Sequence, residues 1–131
     1  ALPFALTSAA LAWHRSGAPN PVVLGGDVHA NYVANLHARP EEPGSPVLAA
    51  EFCGTSISAA GAGAKFIAAV RDANPHILFA DGSKRGYGMF ALSRDRLEAR
   101  LRVVDTVKRP DAGIATAATF TVRDGRPGIE A

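Results

Sequence analysis

"PVVLGGDVHANYVANLH", residues 21–37, carries two periodicities on either side of a glycine pair. Before the glycines, Val22, Val23 and Leu24 form an uncharged, β-branched run bounded by Pro21 and Gly25, which predicts a short buried strand. After them the chain alternates. Tyr32, Ala34 and Leu36 fall on one side and Asn31, Val33 and Asn35 on the other, the pattern of a half-buried strand. Between the two strands stands "GGDVH", with Asp27 and His29 two residues apart.

Outward from this unit the same logic continues. Upstream, "ALPFALTSAALAW" predicts a buried helix from near Pro3 to Arg15, since proline suits a first turn. "SGAPNP" then stops it, with Gly17 suited to the C-cap. Downstream, "PVLAAEF" predicts the hairpin partner of 31–37, reached through the polar loop "ARPEEPGS". "GTSISAAGAGAK" is a small-residue loop leading into a helix from about Gly63 to Asp72, where Phe66, Ile67 and Val70 share a face. Asn74-Pro75 ends it. The C-terminal half reads as a β meander: "HILFA", a "DGSKRG" turn, "YGMFALS", an "RDR" turn, "LEARLRVVD" and "ATFTVRDGRPG". In "LEARLRVVD", Leu97, Ala99, Leu101 and Val103 point inward, with Glu98, Arg100 and Arg102 outward. Strands outnumber helices, so the expected class is α+β with a largely antiparallel sheet.

Length and composition narrow the function. At 131 residues the chain amounts to one domain, and 47% apolar with 20% charged residues is the balance of a folded protein. The net charge is +2, with no run of five basic residues and no basic stripe with interleaved aromatics, which argues against nucleic-acid-specific binding. No apolar segment is long enough to span a bilayer. The N-terminal stretch resembles the apolar core of a signal peptide but lacks a basic flank, and the helix reading is preferred. The first residue is not Met, so the chain reads as a processed or excised piece of something longer. Cys53, the one cysteine, forms neither an internal disulfide nor a Cys-rich zinc site, and its apolar setting predicts a buried small hydrophobe.

The chemistry centres on Asp27 and His29. In extended chain, residues i and i+2 project to one side, so two donors just past a strand end can grip one metal or straddle two. Carboxylate oxygen and imidazole nitrogen suit iron, zinc or manganese, and carboxylate suits calcium. The other reading of the same residues is a turn aspartate beside an ordinary histidine, and D-x-H alone leaves both open. His14, His37 and His76 have no ligand spacing to a second His or Asp and read as structural or exposed. "EFCGTSIS" lacks the G-x-S-x-G of a nucleophile elbow, "GSKRGYG" lacks the glycine spacing of a phosphate loop, and Lys84 and Arg85 read as a solvated turn.

Taken together, "NPVVLGGDVHANYVANL", "SPVLAAEFCGTSIS", "NPHILFADGSKRGYG", "LRVVDTV" and "TFTVRDGRPG" resemble, in order and spacing, the C-terminal part of the PhoD-like alkaline phosphatases. These are secreted metallophosphoesterases, which points to a periplasmic or secreted parent. The resemblance implies part of a calcineurin-like β-sandwich with flanking helices, in which metal ligands sit on loops after strand ends. It implies an iron and calcium cluster, with His29 serving iron, Asp27 a neighbouring cation, and Asn31 supporting the ligands from behind. It implies hydrolysis of phosphate mono- or diesters, the metals clamping phosphate for in-line attack by water. It assigns no catalytic residue to this chain beyond the metal ligands.

The sequence also departs from the family. It has no other D-x-[HY] and no G-N-H, so the remaining ligands would lie earlier in a longer protein. Cys53 is not the family's iron-binding cysteine, because it falls in the "EF.GTSI" segment. The expectation is therefore a C-terminal fragment carrying two metal ligands, inactive alone and prone to self-associate through uncovered apolar surface. The rival expectation is a non-catalytic β-rich binding module from the same fold, keeping "GDVH" as a turn. A complete small enzyme formed by a symmetric dimer with shared ligands is a third.

Overall fold

The computed structural model describes residues 2–130, with side chains in the first helix described from Ala9 onward. That helix, α1, spans Leu2–Arg15. It ends as its glycine predicts: Gly17 sits at φ +92°, Gly17 N–H donates to His14 O at 3.1 Å, and Ala18 N–H donates to Trp13 O at 3.0 Å. These two bonds form a Schellman motif, which satisfies carbonyls that a helix end otherwise leaves bare.

Strands β1 (Val22–Gly25), β2 (Asn31–His37) and β3 (Val47–Cys53) follow, then helix α2 (Ala64–Asp72) and strands β4 (Ile77–Asp81), β5 (Arg85–Leu92), β6 (Arg96–Val104) and β7 (Ile114–Arg123). One sheet has the order β1-β3-β2-β4 and the other β5-β6-β7. All pairings are antiparallel except β1 with β3. The fold is α+β with mostly antiparallel sheets, as expected.

The sheets pack face to face. Val33, Ala50 and Phe52 of the first meet Ala99, Leu101 and Val122 of the second. Phe52 anchors the contact, with its ring 5.6 Å from Phe90 in an edge-to-face arrangement and 6.4 Å from Phe120. The inward set on β6 is the predicted one, with Ala99, Leu101 and Val103 buried. On the other side of the first sheet, Ala10 of α1 packs with Leu36, Leu48 and Ala49.

Three expectations need correction. The C-terminal half is not one meander, because β4 pairs with β2 and only β5 to β7 continue as one. The second strand is buried on both faces rather than half-buried, because it is central and is covered both by the second sheet and on its helical side. The first strand is not buried: β1 is an edge strand, and Leu24 is 58% exposed. On α2, Phe66, Ile67 and Val70 share a face as expected, with Ile67 buried and Phe66 62% exposed.

Candidate functional site

Because β3 lies between β1 and β2, the "GDVH" loop must arch over the end of β3. Gly54 N–H donates to Gly25 O at 3.0 Å and the Cys53 thiol approaches Gly26 O at 3.5 Å, fastening the start of the arch. The segment is not extended as the spacing argument assumed. Asp27 has φ +75° and His29 φ +55°, both in the left-handed region. A non-glycine residue there carries steric strain of about 1–2 kcal/mol. The same-side rule of a strand therefore does not apply to these two side chains.

His29 is held by its ring. Nδ1 lies 2.7 Å from Ala60 O, and since a carbonyl only accepts, Nδ1 carries the proton. In the neutral ring Nε2 is then the lone-pair nitrogen, the tautomer a metal-binding histidine needs. Asp27 is exposed. Asn31, at 1% exposure, accepts from Thr55 N–H through Oδ1 at 3.0 Å, while its Nδ2 is buried with no acceptor among the described residues. Asn31 thus ties the first loop to the "GTSIS" loop.

Arg85 corrects the sequence reading outright. It was expected in a solvated turn, yet it is 9% exposed. Nη1 donates to His29 O at 3.0 Å, to Ser56 Oγ at 3.1 Å and to Ala59 O at 2.8 Å, and Nη2 donates to Gly82 O. One guanidinium therefore joins three loops: the "GDVH" arch, residues 54–63 and the turn before β5. It has no carboxylate partner among the described residues. Its neighbour Lys84 is partly exposed and pairs with Asp105 at 3.1 Å. The signal for Arg85 was weak, since only its place at a strand start, where a side chain can turn back under a loop, set it apart.

Beside this corner a groove of about 590 Å³ runs along the helical side of the first sheet. Gly26 and Val28 form one end, Phe66, Ile67 and Val70 one wall, and Tyr32, Glu51 and Cys53 part of the floor. Asp27 and His29 do not line it. Burial pushes the Glu51 carboxyl and Tyr32 hydroxyl up from their ordinary values. It does the same to the Cys53 thiol, aided by Glu51 and Asp27 and opposed by a backbone hydrogen bond. Cys53 is buried and unpaired, as predicted. His76, also in the groove, is pushed down by burial and by His37. His37 itself is bound through Nδ1 to Ser45 O at 2.8 Å.

The donor chemistry of Asp27 and His29 fits a transition metal or a mixed metal pair. The donor number does not complete a site: among the described residues no cluster of three or more His, Cys, Asp or Glu side chains forms. A hydrolytic metal ordinarily takes at least three protein ligands.

Comparison with known proteins gives one consistent result. The family described as PhoD-like phosphatase matches residues 7–101. Alkaline phosphatase D of Bacillus subtilis (strain 168) is 39% identical over 113 residues, covering 84% of this chain and 19% of that protein. A solved structure titled "Structure of PhoD" superposes with a TM-score of 0.76 at 30% identity, covering 95% of this chain and 24% of that one. The chain thus spans about a fifth to a quarter of the length of these relatives.

Proposed function

Because the chain belongs to the PhoD-like phosphatase family, we propose that it supplies one corner of a metal-dependent phosphoric ester hydrolase. In this reading His29 offers Nε2 and Asp27 its carboxylate, and the remaining ligands come from outside the described residues. Iron and calcium are the metals proposed, phosphate mono- or diesters the substrates, and a periplasmic or secreted setting the place of action. No described helix is long and apolar enough to cross a membrane. When bound, the metals would supply Lewis-acid polarisation of the phosphoryl oxygen and acidification of water. The chain's own residues hold the donors: Ala60 O fixes the His29 tautomer, and Asn31 fastens the neighbouring loop through Thr55.

The observation that carries this reading is the His29 Nδ1–Ala60 O bond, because it leaves Nε2 free for coordination. The test is to titrate the 131-residue chain with Fe³⁺ and Ca²⁺ and assay it on p-nitrophenyl phosphate. Metal binding lost in His29→Ala or Asp27→Ala, without turnover in the unmutated chain, is the expected pattern. Turnover by the unmutated chain, abolished by either substitution, would mean that the ligand set is larger than two or is completed by self-association.

The second reading is a non-catalytic module that keeps "GDVH" only as a turn. A metal-free, stable monomer under the same titration would select it. Self-association remains part of the proposal, through the apolar rim of Leu24, Val28 and Phe66, all largely exposed. Sedimentation of the purified chain tests that point.

A further inference from the structure

Arg85 gives the corner a feature that neither the metal chemistry nor the fold requires. A buried guanidinium is ordinarily matched by a carboxylate, because removing a charge from water is expensive without a partner. Here four neutral acceptors do the matching, and three of them are backbone carbonyls on separate loops. One is the carbonyl of His29 itself, and another belongs to Ala59, next to the residue that holds the His29 ring. The same cation therefore grips both ends of the hydrogen bond that sets the histidine tautomer. Gly61 completes the packing, since a Cβ there would lie 2.4 Å from His29 O and 3.0 Å from Arg85 Nη1.

We propose that Arg85 is a positioning residue for His29: its guanidinium locks the left-handed "GDVH" turn against the 54–63 loop, and so holds the imidazole with Nδ1 protonated and Nε2 available to a metal. The functional consequence rests on the reading of His29 as a ligand; the locking itself does not. Arg85 touches neither metal nor substrate in this role. Lysine is no substitute, because one compact ammonium with three donors does not span acceptors on three loops.

The experiment uses the ¹⁵N-labelled 131-residue chain at about pH 8.5, where an ordinary imidazole is neutral. Imidazole ¹⁵N shifts report the tautomer of His29, and Zn²⁺ alone, followed by calorimetry, reports its availability. The unmutated chain should show His29 as the Nδ1–H form. Arg85→Ala and Arg85→Lys should both shift it toward a mixture, and millimolar methylguanidinium should restore it in Arg85→Ala. Zn²⁺ affinity should fall by roughly 10- to 100-fold, the usual effect of removing a support behind a metal ligand. If Arg85→Ala does not fold, Ser56→Ala, which removes one acceptor and leaves His29 intact, should shift the tautomer in the same direction by less. An unchanged His29 tautomer in the folded variants overturns the proposal, even if Zn²⁺ still binds at His29. A tautomer that switches in a chain that binds no Zn²⁺ upholds the positioning role and removes the metal reading.

Discussion

Replacing Gly61 by alanine separates a packed corner from a loose loop by the sign of its effect. Gly61 is not in the left-handed region, so its backbone accepts a Cβ. In open space, Gly→Ala at a compatible position stabilises by about 0.4–1 kcal/mol, because the unfolded chain loses freedom. At Gly61 the Cβ would sit 2.4 Å from His29 O, 3.3 Å from His29 C and 3.0 Å from Arg85 Nη1. Two of those atoms are backbone, so relief requires the arch to move by roughly 1 Å, and forced repacking of this kind costs about 1–3 kcal/mol. The net expectation is destabilisation by about 1–2 kcal/mol, a fall of about 3–6 °C per kcal/mol in melting temperature for a domain of this size. Gly44, with nothing within 4 Å of its ideal Cβ, is the control, and Gly44→Ala should stabilise. Urea unfolding of the three proteins provides the comparison. If Gly61→Ala stabilises as much as Gly44→Ala, the 54–63 loop does not press on His29, and the argument that Arg85 and Ala60 hold the histidine in place fails with it.

Phe52→Ala should destabilise by about 3–5 kcal/mol, as a fully buried aromatic does, because it loses its contacts to Phe90 and Phe120; a loss under about 1.5 kcal/mol in urea would mean that the sheets do not pack as described. Glu51→Gln should stabilise at neutral pH. The fold raises the Glu51 pKa, so the folded state binds a proton more tightly than the unfolded one and stability falls as pH rises from the unfolded value toward the folded one; the advantage of glutamine should vanish below about pH 4, where both states are neutral, and a loss of stability at pH 7 would contradict it. Cys53, buried and with its thiol pushed up, should react with DTNB more slowly in the native chain than in urea; equal rates would place the thiol in solvent. Asp27→Gly should stabilise by about 0.5–1 kcal/mol, the strain relieved at φ +75° less the entropy glycine adds to the unfolded chain, while weakening metal binding; lower thermal stability would show that the aspartate side chain holds the turn.

The elements were legible because their periods are clean. "LEARLRV" alternates apolar with polar and became most of β6, and the Gly17 stop became a Schellman end. Sheet membership was not legible. "HILFA" looks like the next strand of a meander, and only its long-range pairing with β2, Val33 opposite Phe79 among others, assigns it to the first sheet. Edge and centre were confused for a related reason, since Val22–Gly25 and Asn31–His37 differ in burial through their neighbours rather than through their own residues. At the site, Asp27 and His29 were named from the sequence, but the reason offered, same-side projection in a strand, does not apply to their backbone. Arg85 was missed because a basic residue beside Lys84 and Gly86 has the composition of a solvated turn, and its burial comes from acceptors as far as 56 residues away in the chain.

The backbone at Asp27 and His29 is unusual for a turn that only connects two strands. Among the described residues, the other left-handed positions are Gly17, Gly125 and Gly128, each occupied by the residue that carries no strain there. Among the described residues, side chains occupy that region only at 27 and 29. Aspartate and histidine tolerate it better than branched residues do, which eases the strain without removing it. A loop needed only to join β1 to β2 would be more stable with glycine at both positions. Strain of this kind persists where surrounding contacts over-determine the conformation, and they do so here: Arg85 holds the His29 carbonyl, Ala60 holds the ring, and Gly54 holds the start of the arch. On the proposed reading this rigidity would serve two metal donors, because a ligand that relaxes by even a fraction of an ångström leaves the geometry its metal needs.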